Sequence, residues 1–154
     1  MSTSRLNYVV AAIIILSFGQ GCSKEESRTP LPQAIHGMSL ERQLTGAEAK
    51  ARIGRLHGKE VAPVASYVGH YGAGPDHAML YLSKFASEMK AQDMLRKMSE
   101  SIGEGSSGFG HHTKFAVKNR DIHLVLGQGQ VHYFFPRGKY LYWLAINTGM
   151  ARFA

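Results

Sequence analysis

The sequence predicts an α+β fold: an antiparallel sheet with a C-terminal four-stranded meander and two helices packed on one face. Three observations predict it. Residues 114–146 hold four β-rich runs, KFAV, IHLVL, VHYFF and YLYWLAI, separated by KNRD, GQGQ and PRGK. Connections this short force antiparallel neighbours. Apolar residues recur at helical spacing over 88–102, and a shorter helical pattern occupies 45–57. The length of 154 residues and the 44% hydrophobic content suit a single globular domain. One cysteine excludes a disulfide framework, a cysteine zinc site, an iron–sulfur cluster and the C-x-x-C-H haem attachment.

Taken in order, the chain begins with an apolar run, YVVAAIIILSF at 8–18, preceded by Arg5 and followed by no charged residue before Lys24. The run is about half the roughly 20 residues that a spanning helix needs. A positive start, a short apolar stretch and a small-residue exit describe an export signal. The exit reads Gly19-Gln20-Gly21-Cys22, and the only cysteine of the chain stands at its end. In this the segment resembles the signal of bacterial lipoproteins. The resemblance implies removal of residues 1–21 and lipidation of Cys22. Gly21 fits that class, whereas Gly19 and Gln20 depart from its usual aliphatic and small residues. The resemblance covers the first 22 residues only and assigns the folded domain to no family. Residues 22–34, with Pro30 and Pro32, are expected to tether lipid to domain, and 35–154 to form the domain.

Within the domain, Thr45 with Glu48 has the spacing of a capping box, and Ala49, Ile53 and Leu56 supply one apolar face. Residues 61–71 read as a strand, with Pro63 at an edge or marking a late start, and GAGP at 72–75 as a turn. In 77–86, Ala78, Leu80 and Leu82 alternate with Met79, Tyr81 and Phe85; a strand apolar on both sides is usually central. Ser87 is placed to cap a helix whose apolar face is Ala91, Met94, Leu95, Met98 and Ile102. Asp93 with Lys97, and Arg96 with Glu100, are i,i+4 pairs on its other face.

Pairing the last hairpins through Gln128-Gly129 and through a loop at Pro136–Lys139 sorts the side chains into two sets. One face carries Phe115, Val117, Leu124, Tyr133, Phe135, Tyr140, Tyr142 and Leu144, and the helices are expected there. The other carries Lys114, His123, Val125, His132, Phe134, Trp143 and Ala145, with His132 opposite Trp143. That side is the expected ligand or partner face, centred on His123, His132, Phe134 and Trp143, the alternative being a face half-covered by a terminal segment or the first helix.

Chemistry-bearing motifs are sparse. His111-His112 are adjacent, so in a strand they point apart and no metal site is assigned to them. The Gly-rich stretch 103–110 lacks a P-loop ending and follows a helix C-terminus, whose dipole disfavours anions. Ser106 and Ser107 sit in no nucleophile elbow. No catalytic residue and no cofactor is assigned. The formal charge is +7, and removing residues 1–21 leaves +6, because only Arg5 is lost. A basic exported chain is expected to meet an envelope protein or an anionic envelope polymer rather than nucleic acid. The reading is a non-enzymatic, lipid-anchored binding or assembly module of a bacterial envelope. The competing reading is a small envelope enzyme or metal-binding protein using His123, His132 and Trp143.

Overall fold

The computed structural model describes residues 29–57, 62–105 and 108–147. The expected export signal and Cys22 lie outside the described residues. Strands β1 (Ala34–Ile35), β2 (Met38–Thr45), β3 (Ala65–Ala73), β4 (Asp76–Lys84), β5 (Gly110–Val117), β6 (Arg120–Gly127), β7 (Gln130–Arg137) and β8 (Tyr140–Asn147) form one sheet. Helix α1 (Gly46–His57) joins β2 to β3, and α2 (Glu88–Gly103) joins β4 to β5. The strand order is β1-β2-β3-β4-β8-β7-β6-β5, and every neighbouring pair is antiparallel. The C-terminal four strands do form a meander, but β8 pairs with β4, so they are one half of an eight-stranded curled sheet.

Helix α2 begins as the sequence suggests, whereas Thr45 ends β2 and Glu48 pairs with Arg42 at 3.5 Å. The Ser87 hydroxyl accepts from the Lys90 N–H at the start of α2, satisfying one of the amides that a helix leaves unpaired. Ala91, Met98 and Ile102 are buried, while Asp93–Lys97 and Arg96–Glu100 pair on the solvent side. Met98→Ala should therefore cost about 2–5 kcal/mol. Lys97→Ala should stay within about 0.5 kcal/mol. Equal losses in chemical denaturation would contradict the helix register.

The sheet separates two apolar clusters. The helix-side cluster joins Ala49, Ile53, Ala91, Met98 and Ile102 to Val68, Tyr81, Val125, Phe134, Leu141, Trp143 and Ala145. The opposite cluster joins Met38, Tyr71, Ala78, Leu80, Leu82, Val131 and Ile146, with Tyr67, Leu124, Tyr133, Tyr140, Tyr142 and Leu144 half-buried around them. The helices thus cover the face bearing His132, Phe134 and Trp143, not the face bearing Tyr133 and Tyr142. This corrects the side chosen from the sequence.

Two further differences have local causes. The β7–β8 hairpin turns on Gly138 and Lys139, with Arg137 opposite Tyr140, Phe134 opposite Trp143 and His132 opposite Ala145. Pro136 is part of β7 instead of its loop, and it pairs with Leu141 of β8. The register is therefore two residues from the expected one, which keeps every side chain on its face but changes its partner. At the N-terminal side, β1 and β2 turn on His36 and Gly37, both at positive φ. A bulge between Leu40 and Arg42 then breaks the alternation of β2. As a result Met38 serves the helix-free cluster and Leu44 the helix-side cluster.

The expected tether overlaps the described residues from Thr29 onward, and there it packs on the domain. Leu31 is buried with Met38 and Tyr71, and the Tyr71 hydroxyl donates to the Pro32 carbonyl. Burial pushes the Tyr71 phenol up to about 12. Its ring lies over Gly69, where a Cβ would approach within 2.6 Å of the ring edge. Among the described residues, no helix is long and apolar enough to cross a membrane.

Candidate functional site

The four residues of the expected contact face come together, but beneath α2. Phe134 is 0% exposed, His132 1%, Trp143 3% and His123 8%. The rings of Phe134 and Trp143 stack at 4.7 Å between centroids, and those of His123 and Phe134 at 4.9 Å. Phe109 closes the far end, edge-on to His132 at 4.9 Å and to Trp143 at 5.2 Å. A Cβ on Gly127 would run into the Phe109 ring, so this strand end needs a residue without a side chain. The expectation that these side chains look outward is corrected.

The polar atoms of this cluster satisfy one another, which is why it can be dry. The Trp143 indole N–H donates to His132 Nδ1 at 2.9 Å, and His132 Nε2 lies 3.0 Å from the Gly127 carbonyl. A carbonyl only accepts and an indole N–H only donates, so the geometry fixes the neutral Nε2–H tautomer of His132. Burial holds its pKa below 6.5, opposed by the Gly127 hydrogen bond.

His123 faces a different setting. Its Nδ1 lies 2.9 Å from His112 Nε2 and 3.1 Å from Ser99 Oγ, at the junction of α2, β5 and β6. The two imidazoles stack at 5.1 Å, and His112 is exposed to solvent. His112 sits within a bulge between Gly110 and Thr113, with His111 at φ 53°. Burial lowers the His123 pKa, His112 and Lys114 lower it further, and Asp121 opposes them. The sequence reading put Lys114 on the face of His123 but did not step back two residues to His112. The alternation of β5 is the signal that would have found it.

A third feature is electrostatic. The β5–β6 and β7–β8 turns lie at the same end of the meander, because each is followed by an antiparallel return. Lys118, Arg120, Arg137 and Lys139 are all exposed there. Lys84, opposite Tyr140, adds its ammonium over the Tyr140 ring at 5.7 Å, and Arg120 lies over the Phe135 ring at 5.9 Å. Asp121, the acid of these hairpins, is already paired with Lys114 at 3.1 Å.

Among the described residues, no group of three or more His, Cys, Asp or Glu side chains is arranged to hold a metal ion. Comparison with family models, with characterised proteins and with solved structures returned no match.

Proposed function

We propose that this chain is a non-enzymatic binding module of a bacterial envelope, held on a membrane by a lipid on Cys22 and facing the periplasm or the exterior. The observation that carries the reading is the placement of the sole cysteine directly after a short apolar run with a positive start. Cys22→Ser is expected to release the protein from the membrane fraction and to abolish labelling with a radioactive fatty acid. Unchanged labelling would overturn the anchor.

The partner in this reading is an anionic polymer or headgroup surface, and the basic end of the meander is where it docks. Five cations on two adjacent turns and a neighbouring strand end make a local positive field, whereas the Gln128-Gly129 turn at the other end is uncharged. Converting Arg137 and Lys139 together to Glu removes two attractions worth about 1 kcal/mol each near such a surface. Binding to polyphosphate, and to vesicles containing an anionic phospholipid, should fall about tenfold or more. Binding that ignores both the double substitution and added salt would eliminate the anionic partner.

A further inference from the structure

We infer that His112 and His123, with the Ser99 hydroxyl beside them, form a surface binding site for a borderline divalent metal ion such as copper(II), nickel(II) or zinc. The inference goes beyond the tethered-module reading and does not depend on it.

Two imidazole nitrogens 2.9 Å apart share one proton. One ring presents a lone pair to the other, and the second ring presents an N–H. For a metal to enter, that second ring moves its proton, through solvent, to its other nitrogen and stays neutral, so that each ring offers the ion a lone pair. Imidazole is the preferred ligand of these ions. At metal–nitrogen distances of 2.0–2.1 Å and a tetrahedral angle, the two nitrogens stand about 3.3 Å apart. The nitrogens therefore need to separate by a few tenths of an ångström, and the exposed His112 ring to swing so that its lone pair meets the ion off the N···N line.

The placement of each group favours this. His123 is rigid, buried to 8% exposure and stacked on Phe134, so one ligand is held in advance. His112 is exposed on β5, an edge strand of the sheet, and its ring already lies against His123. That leaves the ion open to solvent on the His112 side. Ser99 Oγ, 3.1 Å from His123 Nδ1, brings a hydroxyl close by from α2. Water completes the coordination. His132 takes no part, because both its nitrogens are already engaged by Trp143 and Gly127.

The test is titration of the full-length chain in detergent with copper(II), nickel(II) and zinc separately. Trp143 is the only tryptophan, and it stacks on Phe134, which stacks on His123. One equivalent of copper(II) should therefore quench its fluorescence. Zinc or nickel should raise the melting temperature of the same sample. His112→Ala, at an exposed position, should keep the fold by circular dichroism and weaken the metal at least tenfold. His111→Ala should bind as the parent does. An unchanged titration in His112→Ala, an equal loss in His111→Ala, or quenching without saturation near one equivalent would each overturn the site.

Discussion

Trp143→Ala is expected to remove most of the stability of the domain. Its indole is 3% exposed and stacks flat on Phe134, so truncation opens a large cavity in the helix-side core. Removing a buried Trp costs about 3–5 kcal/mol. The same change strands His132 Nδ1, which accepts the indole N–H, and an orphaned buried acceptor costs about 1–3 kcal/mol more. Against a typical stability of about 5–15 kcal/mol, that loss consumes most of the margin. Trp143→Phe separates the two contributions, since it keeps much of the ring volume and loses only the donor. By circular dichroism the alanine variant should unfold at far lower denaturant than the parent, with the phenylalanine variant between the two. In the parent protein the emission of Trp143 should be blue-shifted and resistant to acrylamide. An alanine variant that melts like the parent would show that Trp143 lies outside the core.

The same residues show how far the sequence could be read. The β6–β7 hairpin was legible because Gln128 and Gly129 both adopt positive φ in a two-residue turn, which sets Leu126 opposite Val131 and Leu124 opposite Tyr133. Alternation then set Val125, Phe134, Trp143 and Ala145 on one face and Leu124, Tyr133, Tyr142 and Leu144 on the other, as the two clusters have them. Which face meets the helices was not legible from polarity. His123, His132 and Trp143 make one face look wet, yet His132 and Trp143 consume each other's hydrogen-bonding groups. The tyrosines of the other face look like core, yet Tyr133, Tyr140 and Tyr142 remain half-exposed around a smaller buried set. A sum of side-chain polarity cannot register hydrogen bonds that close internally. Strand β2 was hidden for another reason, because its bulge sends Met38 and Leu44 to opposite sides of the sheet and erases the period-two signal. The His112–His123 contact was within reach of the sequence through β5 alternation, but Ser99 was not, since it arrives from α2.

Acid should destabilise the protein through His132, and the direction follows from its partners. In the fold its Nδ1 accepts from Trp143 and its Nε2 donates to Gly127. A second proton would set an N–H against the indole N–H and place a charge at a position 1% exposed. Burial accordingly keeps the folded pKa below the ordinary 6.5 of the unfolded chain. Between those two values the unfolded chain binds the proton and the fold does not, so stability rises with pH across that window. The contribution is complete above pH 6.5 and is lost as pH falls through the folded value. His70 and His123 are shifted in the same direction, chiefly by burial, and add to the slope with the same sign. Denaturant midpoints should therefore be level from about pH 7 to 8 and fall progressively below about pH 6.5. His132→Phe removes the titrating group while filling a similar volume; it lowers stability at every pH, because the Trp143 N–H loses its acceptor, but flattens the acid slope. A variant that keeps the full parental slope would assign the acid sensitivity to other groups and break the link between the His132–Trp143 hydrogen bond and the stability of the core.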